Sequence, residues 1–231
     1  MWLDRFLSND QKRRRLLRQA PPGPLSEYLQ KPFIDSASKL EAVEFLALDL
    51  EATGLDIDHD EILSVGFTVI RQLNIQLSEC DYFLVRPQQA IPEQTAVLHG
   101  IMDDASAQGL ALDEAMGRIL SALQGRVLLA HHASIECGFI NAACRRLYGS
   151  EAVFPLVDTY AIEYTSLKHR GITPENNGLR LYNLREDYGL PRYPAHNALS
   201  DAVSAAELFL AQVAHRQGRS SMKLKEVMTR C

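Results

Sequence analysis

The feature that most constrains the fold is the apolar run over residues 43–50, which contains only two acidic positions, Glu44 and Asp49. Such a near-continuous apolar run is typical of a strand buried on both faces of a sheet, whereas a half-exposed strand alternates apolar and polar residues. The run is far shorter than the roughly 18 apolar residues that a membrane span needs. We therefore predict a central strand of a sheet that is covered on both sides.

The segments that follow this strand change in period along the chain. Two further strands are predicted at residues 61–70 and 73–85, and the short links between them favour an antiparallel meander. Apolar spacing then predicts helices at 93–99, 112–123, 134–147 and 198–215 and strands at 126–130 and 156–158. Three strands followed by alternating helices and strands indicate an α/β domain with a mixed sheet.

The chain of 231 residues, 46% of them apolar, is long enough for one well-cored domain. Residues 43–216 are predicted to form it, followed by a short tail at 217–231. Residues 1–42 are predicted to be an extension, because a basic run at 12–18 and a Pro-rich stretch at 21–24 precede the first strand. The basic run is interpreted as a solvated helix face, with a contact to phosphate or to a partner as the alternative.

The formal net charge of −5 argues against a protein that wraps nucleic acid by overall positive charge. A nucleic-acid enzyme remains compatible with this charge, since acidic side chains gathered to hold divalent cations make the metal-free protein acidic. Asp4 and Arg5 interrupt the first residues, so no secretory signal is readable. The expectation is a soluble cytoplasmic protein that does not contact a membrane.

Two carboxylates, Asp49 and Glu51, end the predicted central strand. Residues two apart on a strand point to the same face, so these side chains project together. Carboxylates a few ångströms apart raise each other's pKa, and a hard divalent cation such as Mg²⁺ is the usual compensation. A strand end emerging into solvent is the alternative. Asp-x-Glu-x-Thr-Gly, completed by Thr53 and Gly54, arises by chance in roughly one chain in several hundred of this length.

A second candidate pair, His196 and Asp201, lies at the start of the last predicted helix. On one continuous helix the two side chains would be rotated by about 140° from each other. They can face one site only if His196 lies in the loop before the helix, and Pro194 favours a loop there. A histidine on a loop beside a carboxylate on a helix suits a proton carrier next to a metal ligand.

A third acidic position, Glu136, falls in the first turn of the helix predicted to follow the strand at 126–130. A glutamate there has an ordinary explanation, because it interacts favourably with the helix dipole and the free N–H groups. The neighbouring His131 and His132 do not indicate zinc, since adjacent side chains diverge and no third His or Cys stands at ligand spacing.

In this order, the three acidic segments resemble the DnaQ-like DEDDh 3′-to-5′ exonucleases, the family of polymerase proofreading subunits, RNase T and oligoribonuclease. The Asp-x-Glu of the family's first motif is matched by Asp49 and Glu51, and the His-x4-Asp of its third motif by His196 and Asp201. The Thr-Gly-Leu that commonly follows the first motif is present at residues 53–55. Residues 97–101 and 156–159 resemble secondary signatures, so the resemblance covers about residues 43–215.

The second motif departs from the family pattern. The family usually has His-Asn-Ala-x-Phe-Asp, whereas this chain has His131-His132-Ala133-Ser134-Ile135-Glu136. A glutamate can still bind a metal ion. However, its extra methylene moves the carboxylate oxygens by about 1.5 Å, comparable with a misplacement that costs around a hundredfold in rate.

The resemblance implies a ribonuclease H-like α/β fold with a five-stranded mixed sheet, in which the first three strands form the antiparallel half. It also implies metal-dependent hydrolysis of the 3′-terminal phosphodiester of single-stranded DNA or RNA, with release of nucleoside 5′-monophosphates. One of two ions would activate water and the other would stabilise the leaving 3′-oxygen. The partner would be the 3′ end of a single strand.

The resemblance implies a role for each motif residue. The ligands of two Mg²⁺ or Mn²⁺ ions would be Asp49, Glu51, Asp201 and, on the outer side, Glu136. His196 would be the general base. The residues contacting the terminal nucleotide would be Ala52, Thr53, Gly54, Leu55, His99, His132 and Ile135, with Leu55 wedged against its base.

Two alternatives stay open. A nucleic-acid or protein binding module would keep the fold after losing efficient catalysis, and the altered second motif motivates this interpretation. A specialised polymerase subunit is less expected, because only about 15 residues follow the last predicted helix and such subunits carry a long tethering tail.

Overall fold

A computed structural model of the chain describes residues 8–93, 95–96, 106–174, 177–194, 196–216 and 221–229. The helices are α1 (Asn9–Leu17), α2 (Pro24–Gln30), α3 (Leu112–Leu123), α4 (Ser134–Tyr148), α5 (Thr159–His169), α6 (Leu181–Asp187) and α7 (Ala198–Arg216). The strands are β1 (Phe45–Ala52), β2 (Ile62–Arg71), β3 (Asn74–Leu84), β4 (Val127–Ala130), β5 (Leu156–Asp158) and β6 (Met228–Thr229). Among the described helices, none combines the length and the apolar composition that crossing a membrane requires.

The strands form one mixed sheet in the order β3-β2-β1-β4-β5-β6. β1, β2 and β3 make the predicted antiparallel meander, and β4 and β5 add parallel to the other side of β1. The predicted α/β class and the central position of β1 are therefore confirmed. The predicted count of five strands is wrong, because β6 pairs antiparallel with β5 as a sixth strand. Its two residues are too few for a period-2 pattern to predict it from sequence.

Helices cover both faces of the sheet, so alternate residues of β1 enter different cores. Leu46 and Leu48 pack with α2, α3 and α4, whereas Phe45 and Ala47 pack with α7 on the opposite face. Since side chains alternate along a strand, the odd-numbered Asp49 and Glu51 project to the α7 side. This register brings the end of β1 and the beginning of α7 to one place.

The close approach of α7 to the sheet depends on a glycine. Gly66 of β2 lies directly opposite Asp49, and a Cβ at this position would come within 2.1 Å of the Leu199 backbone nitrogen. No other residue type leaves room for the first turn of α7 here. The glycine therefore sets the distance between the helix and the acidic strand end.

The N-terminal segment is integrated into the core rather than detached from it. Leu25, Tyr28 and Leu29 of α2 are at most 1% exposed and belong to the same core cluster as β1, α3 and α4. The Tyr28 hydroxyl donates to the Val153 carbonyl, and Pro24 of the Pro-rich stretch begins α2. The predicted boundary at residue 42 thus does not separate an appendage from the core, and the tail at 217–231 contributes β6 to the sheet.

Candidate active site

Three carboxylates meet where β1 ends against the first turn of α7. Asp49, Glu51 and Asp201 each offer an oxygen, and these oxygens lie within 4.8 Å of one another. Oxygen ligands from carboxylates are those that Mg²⁺, Mn²⁺ and Ca²⁺ prefer. The structure thus brings together three of the four predicted metal ligands.

Burial makes this cluster electrostatically costly. The pKa of Asp49 is raised well above its ordinary value, first by burial and then by the negative charges of Glu136, Glu51 and Asp201. Burial also raises the pKa of Asp201, although a hydrogen bond from the His196 backbone N–H, 2.9 Å to Oδ2, opposes the shift. Gathered carboxylates of this kind favour either protonation or a bound cation.

Glu136 lies beside this cluster in the first turn of α4. It is 3% exposed, and its Oε2 atom has no hydrogen-bond partner among the described residues. Burial is the main cause that raises the pKa of Glu136 to about 8, with Asp158 and Glu51 adding repulsion. It is not part of the group of three whose oxygens lie within 4.8 Å. A buried carboxylate oxygen without a partner, next to three others, fits a cation site.

His196 lies in the loop before α7, as the sequence predicts, and its side chain is exposed. Its backbone has a φ of 68°, in the left-handed region. The backbone N–H reaches back to the Asp201 carboxylate, which ties the loop to the metal-ligand candidate. His196, Asp49 and Asp201 line the same cleft. The structure therefore places both residues of this pair at one cleft, and their roles there stay a prediction.

The segment after Glu51 is shaped by its own side chains. The Thr53 hydroxyl donates to Asp60 Oδ1 at 2.8 Å and accepts from the Glu61 backbone N–H at 2.9 Å. A Cβ on Gly54 would lie 2.4 Å from the Asp60 carboxylate. Both hydrogen bonds of the Thr53 hydroxyl therefore stay within the loop that follows β1. The Thr53 backbone is bonded as well, since its N–H donates to the Glu61 carbonyl at 2.9 Å and its carbonyl accepts from the Thr95 hydroxyl at 3.0 Å.

Other predicted substrate contacts are placed as follows. Ala52 follows a register shift that begins at Glu51. Leu55 is 78% exposed, so its side chain is accessible to a ligand. His132 and Ile135 line the cleft with Asp49. His99 lies outside the described residues.

The buried Asp158 and the half-buried His131 shape the site and carry no predicted role. The Asp158 carboxylate accepts backbone N–H groups from His132, Ala133 and Tyr160, so it caps the starts of both α4 and α5. The His131 ring bonds the Thr159 hydroxyl at 2.8 Å and the Leu179 carbonyl at 2.9 Å. Burial lowers the pKa of His131 to about 4, so the ring is neutral. Aspartate is a typical N-cap residue, but this signal is readable only where the helix that follows is itself predicted, and α5 was not.

Comparison with known proteins gives a consistent result. Residues 46–209 match the RNase T family model, described as Exonuclease. DNA polymerase III subunit epsilon of Treponema pallidum is 30% identical over 175 residues, which are 76% of this chain and 79% of that protein. DNA polymerase III PolC-type of Thermotoga petrophila is 27% identical over 190 residues. These are 82% of this chain but only 13% of that protein.

The fold also resembles a solved structure. The nuclease domain of 3′hExo, a DEDDh family member solved bound to rAMP, is 15% identical with a TM-score of 0.65. The match covers 80% of this chain and 100% of that domain, and at this identity it establishes the ribonuclease H-like fold alone. Because the family model covers most of the chain and the epsilon subunit aligns over most of both sequences, the chain belongs to the DnaQ-like DEDDh exonuclease family.

Proposed function

We propose that the protein is a metal-dependent 3′-to-5′ exonuclease. It would hydrolyse the 3′-terminal phosphodiester of a single strand and release nucleoside 5′-monophosphates. The observation that carries this proposal is the cluster of Asp49, Glu51 and Asp201 within 4.8 Å, beside the unpartnered buried oxygen of Glu136. Membership of an exonuclease family supports the same reaction.

The donor set fits Mg²⁺ or Mn²⁺, since every candidate ligand is a carboxylate oxygen. Asp49, Glu51 and Asp201 would hold the ions, with Glu136 on the outer side. Two such ions would supply a stronger water nucleophile and neutralise charge on the leaving 3′-oxygen. Without a cation, the raised pKa of Glu136 keeps this carboxyl largely protonated at neutral pH.

His196 would act as the general base by accepting the proton of the attacking water on a ring nitrogen. General-base catalysis requires the base within hydrogen-bond reach of that proton. The hydrogen bond from the His196 backbone to Asp201 places the histidine loop beside the carboxylate cluster. The side chain of His196 is exposed, so the attacking water can reach its ring.

The terminal nucleotide would be held by apolar contacts and backbone groups. Leu55 is exposed beside the acidic strand end, and Ile135 lines the cleft. Such contacts accept any base, because every base has an apolar π-face. Of the segment after Glu51, the backbone of Gly54 would contact the sugar or phosphate, because both backbone groups of Thr53 are bonded within the protein.

The second candidate function is a binding module with little catalysis. The observation that favours it is Glu136, whose neutral state at physiological pH weakens its attraction for a cation. Under this alternative the cleft would still bind a single strand. Hydrolysis would be negligible even at saturating Mn²⁺.

A strand labelled at its 5′ end tests the proposal. With Mg²⁺ or Mn²⁺, we expect a ladder of products that shorten one nucleotide at a time from the 3′ end, together with nucleoside 5′-monophosphates. With EDTA, the strand should stay intact. Binding without any shortening would favour the binding module, and internal cuts or removal of the 5′ label would exclude the proposed reaction.

A further inference from the structure

We propose that the cleft contains a second nucleotide subsite, built from Arg180, Arg192 and His132, for the nucleotides on the 5′ side of the scissile bond. The two arginines would bind backbone phosphates, and the His132 ring would stack on a base. This inference rests on the proposed function, because it concerns the part of the same strand that lies beyond the terminal nucleotide.

One wall of the cleft presents parallel aromatic rings. The His132 ring stacks on Tyr160, with centroids 4.9 Å apart and an angle of 17° between the planes. Tyr160 in turn lies parallel to Tyr164, one turn later on α5, at 6.3 Å and 9°. His132 is exposed, and among the described residues its ring stacks on Tyr160 alone. A base on the other face of the His132 ring would continue the stack, and aromatic stacking is the usual way in which proteins hold single-stranded bases.

His132 is also the position where the second motif departs from the family's asparagine. Its backbone has a φ of 66°, a left-handed conformation in which asparagine and histidine are both enriched. The exchange of asparagine for histidine therefore keeps the backbone and adds a ring. The stack on Tyr160 fixes the position of this ring, and a bound base would stack on its other face.

The cleft also carries positive charge. Arg180 and Arg192 line the cleft and are exposed, and neither makes a salt bridge with any residue that the structure describes. Both contact Tyr182: Arg192 lies 5.3 Å over its ring, and Arg180 donates to its hydroxyl at 3.4 Å. Guanidinium groups held by an aromatic ring and not paired with a carboxylate suit phosphate binding.

A third arginine of this cleft serves a different purpose. Arg185 is 2% exposed, and its guanidinium donates to Glu207 Oε2 and to the carbonyls of Ser204 and Pro191. Its charge is matched by Glu207, and its bonds connect α6, α7 and the loop that leads to His196. Arg185 is therefore a structural residue. Among the described residues of the cleft, Arg180 and Arg192 are the arginines that make no salt bridge.

The arrangement fits a single strand better than an isolated nucleotide. The cleft has a volume of about 760 Å³, in the upper part of the roughly 300–1,000 Å³ typical of small-ligand sites. Its lining includes the basic Arg180 and Arg192 as well as the acidic Asp49 and Asp201. Phosphates therefore have guanidinium groups to bind in the cleft that holds the acidic cluster, and base faces are accessible only in an unpaired strand.

The test measures the Kd of a fluorescent pentathymidylate at several salt concentrations, with Mg²⁺ present. An Asp201→Asn background prevents hydrolysis, so the readout does not depend on turnover. For a single strand, each phosphate contact contributes about 0.7 to the slope of log Kd against log salt concentration. We expect Arg180→Gln and Arg192→Gln each to lower the slope by about 0.7, and Arg→Lys at either position to retain it.

Two further variants separate stacking from charge. His132→Asn suits the left-handed backbone but lacks the ring, so we expect the Kd to rise at least about fivefold with the salt slope unchanged. Arg18→Gln is the matched control. Arg18 is an exposed arginine directly after α1. The Asn9 side chain of α1 donates to the Phe154 carbonyl, just before β5 begins. The candidate site lies at the other end of β5. Removal of the Arg18 charge should leave the slope unchanged.

Equal salt slopes for the parent and the Arg180→Gln/Arg192→Gln double variant would overturn the subsite, as would a pentathymidylate that does not bind the parent. These results are independent of the labelled-strand assay. An active nuclease with unchanged slopes contradicts only this inference, whereas altered slopes in an inactive protein contradict only the proposed reaction.

Discussion

Replacing Glu136 with glutamine is expected to stabilise the metal-free protein by an amount that grows with pH. In the folded protein, burial raises the pKa of Glu136 from 4.5 to about 8. The unfolded chain therefore releases this proton at lower pH than the folded protein does. The folding free energy that Glu136 contributes through this difference in pKa is fully present below about pH 4.5. It is lost as the pH rises towards 8.

The magnitude follows from the width of this window. Each pH unit within it costs about 1.4 kcal/mol of unfolding free energy, so the loss between pH 5 and pH 7.5 is about 3 kcal/mol. For a chain of this size, 1 kcal/mol shifts Tm by about 2–4 °C. Glutamine has nearly the shape of the protonated acid but cannot ionise, so the Glu136→Gln variant should avoid the loss.

Thermal unfolding of both proteins in EDTA, at half-unit steps from pH 5 to pH 7.5, measures the effect. The Tm of the variant should exceed that of the wild type by a margin that widens by about 6–12 °C over this range. The variant also removes the repulsion that Glu136 exerts on Asp49, which lowers the cost of ionising Asp49 and widens the margin in the same direction. Glu186→Gln, at an exposed position of α6, is the control and should give a constant margin. A constant margin for Glu136→Gln as well would refute the assignment of a buried, protonated carboxyl.

Three further predictions follow from the packing and the site. Gly66→Ala should push α7 from the sheet and lower turnover by about a hundredfold or more, whereas Gly117→Ala, whose new methyl would meet only Pro24 at 3.8 Å, should retain activity. His196→Ala should lower single-turnover rates by at least about a hundredfold, and His169→Ala, at an exposed position, should not; a His196 variant within tenfold of wild type would contradict the base assignment. Removal of residues 1–30 should lower Tm or prevent folding, because α2 contributes fully buried side chains. Circular dichroism and light scattering would measure this effect, and an unchanged Tm would contradict the packing of α2 into the core.

The elements with a clear apolar period were predictable from sequence. Residues 112–123 form α3 as predicted, and α7 begins at Ala198, because each has an apolar face on an otherwise polar helix. Helix α5, Thr159–His169, was not predicted. It buries only Thr159, Ile162 and Glu163, which do not form an apolar stripe. Tertiary contacts and the Asp158 cap determine this helix.

The site was predictable where charge and spacing carry the chemistry. Asp49 and Glu51 follow from strand alternation, and the placement of His196 in a loop follows from the rotation between it and Asp201. Gly66 was not predictable, because its importance arises from the approach of a helix more than 130 residues later in the chain. A glycine within an apolar strand pattern has the same sequence signature whether or not a helix packs on it.

The central claim is that the carboxylates of β1 and α7 form a metal-dependent active site. Single-turnover rates on a 5′-labelled strand, measured against Mn²⁺ concentration for wild type and Asp49→Asn, test it most directly, with calorimetric Mn²⁺ binding to both proteins as a second readout. We predict saturable, Mn²⁺-dependent release of nucleotides from the 3′ end by the wild type. We predict loss of both release and tight Mn²⁺ binding in Asp49→Asn, whose fold stays intact by circular dichroism. Undiminished 3′ shortening by Asp49→Asn, or shortening by the wild type in EDTA, would contradict the claim.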